Sequence, residues 1–93
     1  ALTLNPDAVD ARFNLAVALS RLGRTREAIE HYLAVIRIDS GNARAHNNLA
    51  IAYVRSGDLG RAETHFREAL KINPDYRKAS DNLNEVLMLL KQR

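Results

Sequence analysis

The amino-acid sequence predicts an all-α array of about five antiparallel helices. Three observations carry that prediction. The chain matches itself when shifted by 34 residues, apolar residues inside each unit recur at three-and-four spacing, and the composition is rich in Ala and Leu. Ala11, Asn14, Leu15, Ala16, Ala18, Arg21, Gly23, Ala28, His31 and Ile38 recur as Ala45, Asn48, Leu49, Ala50, Ala52, Arg55, Gly57, Ala62, His65 and Ile72. A third copy opens with Ala79, Asn82 and Leu83.

The elements follow in order. Leu2 and Leu4 before Asn5-Pro6-Asp7 match Leu70 and Ile72 before Asn73-Pro74-Asp75, so residues 1–5 are expected to end an earlier helix. The first full helix places Ala11, Leu15, Ala18, Leu19 and Leu22 on one face and stops at Gly23. The second, over 25–38, turns Ala28, Ile29, Tyr32, Val35 and Ile36 inward, with the Thr25 hydroxyl as its expected N-cap. The third runs over 42–55 and ends at Gly57-Asp58; the fourth runs over 59–72. Pro74 has no N–H to extend the fourth, and Asp75 is expected to cap a fifth over 76–91. The chain thus divides into the end of a preceding repeat (1–8), two whole repeats (9–42 and 43–76) and a capping helix or half repeat (77–93).

Size and composition bound the function. Ninety-three residues make one small domain. Apolar residues are 46% of the chain, with 14 Ala and 13 Leu, against four Gly and two Pro. That is too apolar for disorder and too poor in turn residues for a sandwich or barrel. With no Cys there is no disulfide framework, thiolate metal site or cysteine nucleophile. The longest apolar run, 86–90, is far short of the roughly 20 residues of a membrane span. No charged and then apolar leader opens the chain, and a start at Ala1 is what an excised piece of a longer protein would show. The compartment stays open. The net charge is +3, and the eleven Arg are spread along the sequence rather than gathered in a stripe with aromatics, which argues against a nucleic-acid footprint.

The unit resembles the tetratricopeptide repeat, with its pattern W-x2-L-G-x2-Y, then A-x3-F, then P. The first unit offers Arg12-x2-Leu15-Ala16-x2-Leu19, then Ala28-x3-Tyr32, then Ser40. The second offers His46-x2-Leu49-Ala50-x2-Tyr53, then Ala62-x3-Phe66, then Pro74, and the third Ser80-x2-Leu83-Asn84-x2-Leu87. No aromatic opens a unit, Ser40 replaces Pro, and Asn84 stands where a small residue is usual. The resemblance covers the whole chain. It implies a right-handed α-α superhelix in which Ala16, Ala50, Ala28 and Ala62 permit close helix crossings, while Leu15, Leu49, Tyr32 and Phe66 fill the space between repeats.

The resemblance also implies a concave groove, lined by the first helix of each pair, that takes an extended peptide of another protein. The residues expected to face it are Asp10, Phe13, Asn14, Val17 and Arg21, then Arg44, Asn47, Asn48, Ile51 and Arg55, then Lys78, Asp81, Asn82 and Glu85. Phe13, Val17 and Ile51 are expected as exposed apolar contacts. Asn14, Asn48 and Asn82 form a ladder, one rung per repeat. Such amides either pair with the backbone of a bound strand or bond to a neighbouring repeat. Arg21, Arg55 and Lys78 favour an acidic or C-terminal carboxylate ligand. Members that clamp chaperone tails use Lys, Asn, Asn, Lys and Arg; here Phe13, Val17, Asn48, Lys78 and Asn82 occupy those places, two matches of five. The recurring Asn is more similar to arrays that feed substrates to O-linked sugar transferases.

Catalysis is not expected, and no cofactor or metal site is read. His31 and His65 are related by the repeat, and Glu27/His31 and His65/Glu68 lack a full ligand set. Gly57-Asp58-Leu59-Gly60 lacks the lysine of a phosphate loop and is accounted for by the helix turn. Residues 86–90 surround the last helix with apolar groups. Met88, Leu89 and Leu90 are therefore expected to form a surface for a partner helix or for a homodimer, which makes an assembly spacer the alternative function.

Overall fold

The computed structural model describes residues 6–92, with side chains from Ala8 onward. Five α-helices follow one another: α1 (Pro6–Arg21), α2 (Thr25–Ile38), α3 (Ala43–Ser56), α4 (Leu59–Ile72) and α5 (Arg77–Lys91). Each packs on its neighbours in sequence, and α1, α3 and α5 stand side by side. The result is a slab of 47 × 29 × 19 Å. The helix end expected over 1–5, with Leu2 and Leu4, lies outside the described residues.

Alanine sets the spacing. Ala16, Ala28, Ala50, Ala62, Ala69 and Ala79 are wholly buried, so helix backbones approach where these side chains meet. Phe13, Leu19, Tyr32, Val35, Leu49, Tyr53, Phe66, Leu83 and Val86 fill one continuous core between them. Leu15 departs from expectation at 45% exposed, while Leu49, its counterpart one repeat on, is fully buried. The reason is position: α2 packs against α3, and among the described residues no helix stands on the corresponding side of α1.

Two kinds of turn alternate. The first helix of each pair ends in a glycine with left-handed backbone, Gly23 at φ 81° and Gly57 at φ 87°. Around each, two backbone bonds close the helix end: Arg24 N–H to the Leu19 carbonyl (2.9 Å) with Gly23 N–H to Ser20, and Asp58 N–H to Tyr53 (2.9 Å) with Gly57 N–H to Val54. The second helices end without a left-handed glycine, in four-residue turns where Asn42 N–H bonds to Asp39 and Tyr76 N–H to Asn73. Side-chain caps are found at Asn42, which accepts from Ala45 N–H, and at Asp58, which accepts from Arg61 N–H. Two expected caps are displaced. Thr25 is already the first residue of α2, whose N-cap is Arg24, and α5 is preceded by Tyr76, with neither position making a side-chain cap bond. Asp75 instead gives its backbone N–H to Asn73 Oδ1.

Three rings stack between α3 and α4. His65 lies 5.3 Å from His46 and 5.6 Å from Tyr53, centroid to centroid. His46 Nε2 sits 3.1 Å from the Ser40 carbonyl, which only accepts, so that nitrogen carries a proton. In the neutral pair, His46 Nδ1 is then the acceptor for His65 Nδ1–H at 3.1 Å. Burial first, and the His46 ring second, hold the His65 pKa below its usual 6.5, against the opposing Glu68.

Two outcomes follow for stability. Gly57→Ala forces a side chain into left-handed backbone and lowers unfolding free energy by about 1–2 kcal/mol, while Gly41→Ala, with no atom within 4 Å of the added carbon, stays within about 0.5 kcal/mol; urea titration measures both. Because His65 binds its proton more weakly when folded, its contribution is complete above about pH 6.5 and is lost as pH falls below that value. The urea midpoint therefore drops between about pH 7 and pH 5, and His65→Phe flattens that drop.

Candidate functional site

One side of the array is formed mainly by α1, α3 and α5. Two clefts open along it. The first, about 170 Å³, is walled by Val17, Ser20 and Arg21 of α1, Tyr32 of α2, and Asn48, Ile51 and Arg55 of α3. The second, about 220 Å³, is walled by Ile51, Val54 and Arg55 of α3, Phe66 of α4, and Asn82, Glu85, Val86 and Leu89 of α5. They are the same cleft one repeat apart. Val17/Ile51, Ser20/Val54, Arg21/Arg55, Tyr32/Phe66, Asn48/Asn82, Ile51/Glu85 and Arg55/Leu89 each differ by 34 in number.

The polar groups of the first cleft are connected. Arg55 Nη1 donates to Ser20 Oγ at 2.6 Å and to the Ser20 carbonyl at 3.3 Å, tying α3 to α1. Asn47 Nδ2 donates to Asn48 Oδ1 at 3.4 Å, and the Asn48 side chain reaches the Tyr32 phenol. Burial raises the phenol pKa above 10.0, with Asn48, Arg55 and Arg21 opposing in that order, so Tyr32 keeps its proton at neutral pH. The pocket is thus cationic and rich in hydrogen-bonding groups.

The expected groove residues divide. Val17, Arg21, Asn48, Ile51, Arg55 and Asn82 line one or both clefts, and so does Glu85. Asn14 and Lys78 are exposed and line neither. Phe13 is not an exposed contact. It is 7% exposed, packed edge-on against Tyr32 at 5.8 Å, and the Arg44 guanidinium lies 5.0 Å over its ring. Asn47, its counterpart in α3, is buried as well, with Oδ1 lacking a hydrogen-bond partner. The residue at this repeat position in α1 and α3 therefore points under the groove floor rather than into it. On α5, Met88 is 62% exposed and Leu89 46%, but Leu90 turns back and packs against the core.

Sequence reasoning missed Ser20 and Tyr32 in the wall of the first cleft, and Val54, Phe66 and Val86 in that of the second. Tyr32 sits on a second helix and its ring is core, yet its oxygen ends in the cleft; the signal was the hydroxyl itself, absent from Phe66 at the same register. The histidine and glutamate pairs take other roles. Glu27 forms a two-point ion pair with Arg24, His31 Nδ1 lies 3.4 Å from Arg12 Nη1, and His65 belongs to the ring stack. Among the described residues, no three His, Asp or Glu side chains gather to hold a metal. No helix among them is long and apolar enough to cross a membrane.

Antiparallel helix pairs repeating at 34 residues, with clefts repeating at the same interval, define a helical-repeat array. A family model described as tetratricopeptide repeat matches residues 1–43 and again 19–77, and the chain belongs to that family. The second tetratricopeptide-repeat domain of Spaghetti (RPAP3), bound to the HSP90 peptide SRMEEVD, superposes with a TM-score of 0.87 at 24% identity, covering 90% of this chain and 78% of that one. YrrB, described as having an unusual peptide-binding site, gives 0.79 at 29% identity over 85% of this chain and 41% of its own. MamA residues 41 to the end, from Desulfovibrio magneticus RS-1, gives 0.87 at 28% identity over 92% and 49%. The chain thus spans less than half of the latter two. No curated protein sequence matches it.

The buried Asn47 yields a test of the floor. Its unpartnered oxygen costs desolvation that a hydrocarbon of similar size would not, and Phe13 holds the same place in α1. Asn47→Leu is expected to raise unfolding free energy by about 1 kcal/mol in urea titration.

Proposed function

We propose that this protein is an interaction module whose concave groove binds an extended segment of another protein. The observation that carries the reading is the pair of clefts in line along α1, α3 and α5, each offering an amide, a guanidinium and an aliphatic wall. Asn82 can present both donor and acceptor to a passing backbone whatever its sequence, and Asn48, whose oxygen accepts from Asn47, presents its amide hydrogens. Val17 and Ile51 supply contact area, and Arg21 and Arg55 favour acidic partners. The peptide-bound relative and the peptide-binding site named for YrrB support the same use of the fold. The chaperone-tail clamp itself is not carried over, because Phe13 and Val17 stand where its first Lys and Asn belong and Phe13 is covered by Arg44. In this reading, 9–42 and 43–76 are the functional repeats and 77–93 supplies the last wall.

A second reading, assembly through α5, draws support from the exposure of Met88 and Leu89. The two separate in experiment. Against a peptide array, Asn48→Ala or Arg55→Glu is expected to weaken the strongest hits at least about 10-fold with helicity unchanged. Mass that rises with concentration, and falls on Met88→Ser with Leu89→Ser, favours assembly instead.

A further inference from the structure

The two clefts are built by one repeat, but their chemistry is opposite. In the first, the polar groups are donor-rich and carry the cations. Asn48 Oδ1 accepts from Asn47 at 3.4 Å, which turns the Asn48 amide nitrogen towards the Tyr32 phenol and leaves the phenol hydrogen available. Ser20 Oγ accepts from Arg55 and so retains its own hydrogen. Arg21 and Arg55 bring two positive charges, no carboxylate lines the cleft, and neither forms an ion pair among the described residues.

One repeat on, Arg55 and Asn82 stand where Arg21 and Asn48 stood, but the other donors are gone. Tyr32 becomes Phe66, Ser20 becomes Val54, and the outer Arg55 becomes Leu89. Ile51 becomes Glu85, which adds a negative charge at the mouth. In the second cleft the Glu85 carboxylate offsets the Arg55 charge, and Phe66, Val54, Val86 and Leu89 leave a wall suited to hydrocarbon.

Resting on the groove reading above, we infer that the groove recognises a two-part motif: a side-chain oxyanion held by Tyr32, Ser20, Arg21 and Arg55, and an apolar side chain held against Phe66, Val54 and Leu89. An acceptor-only oxyanion is what a site of unspent donors and uncompensated cations completes. The clefts are one helix-to-helix step apart, about 10 Å. An extended chain with three residues per turn rises about 3.1 Å per residue, so positions i and i+3 land on the same side at that distance. The motif is an acidic residue and an apolar one three apart, inside a chain rather than at its free carboxylate.

The probe is the blocked peptide acetyl-GSESGLSG-amide, titrated into the intact chain to about 10 mM and followed by 1H–15N NMR. Saturable shifts are expected at the Asn48 and Asn82 side-chain amides and at Ser20. Replacing the peptide Glu by Gln should weaken binding about 10-fold, and moving the Leu one place closer should weaken it several-fold. Tyr32→Phe, which keeps the ring, should weaken the Glu peptide but not the Gln peptide. A phosphoserine in place of Glu tells a phosphoryl from a carboxylate: retained or tighter binding with the same Tyr32 dependence supports the oxyanion site and identifies its better occupant. Equal binding of Glu and Gln peptides, or an equal effect of Tyr32→Phe on both, overturns this inference while leaving the groove intact. No shift at either cleft with any of the peptides overturns the groove reading along with it.

Discussion

Close helix crossing is the constraint from which the rest of this structure follows. At Ala16, Ala28, Ala50 and Ala62 nothing larger than a methyl group separates neighbouring backbones. Dispersion falls steeply with distance, so a small residue at the crossing lets the larger ones beside it, Tyr32 and Leu49 and Phe66, reach contact on both sides. Because those alanines recur at 34 residues, the crossing geometry recurs as well. The register of every wall residue in the groove is thereby fixed before any ligand chemistry is considered.

That fixed register separates scaffold from site. The backbone repeats almost without variation: left-handed glycines at 23 and 57, matching paired bonds around each, and four-residue turns after α2 and α4. Variation is confined to side chains that the crossings hold at the rim. Arg55 shows the economy of the arrangement. It stands on the wall common to both clefts, and its bond to Ser20 ties successive repeats together on the open side, where there is little apolar contact to do so.

Much of the fold was legible because it rests on period and on backbone chemistry. The spans of α2 and α4 and the stops at Gly23 and Gly57 follow from three-and-four spacing and from the glycine requirement of left-handed backbone. The caps of α2 and α5 were not legible, since a hydroxyl or carboxylate one place from a boundary serves equally well inside the helix or before it, and turn geometry decides. The groove was legible as a stripe but not in depth. Periodicity places Phe13, Asn47 and Asn48 on one face, whereas burial under Arg44, or beneath the floor, depends on the neighbouring repeat. Tyr32 was hidden for a related reason: one residue can belong to the core through its ring and to the cleft through its oxygen. The His46–His65 pair escaped because the repeat explained His65 and nothing in the spacing brought a second imidazole to it.

A groove made by pure translation has a cost in precision. Any chain lying along it finds as many equivalent seats as there are repeats, and it can slide from one to the next without changing its contacts. The exchange of Tyr32 for Phe66, Ser20 for Val54 and Ile51 for Glu85 removes that degeneracy. The array keeps the economy of a repeated scaffold, while its inner surface has an origin and a direction, as a ruler does once its divisions are numbered.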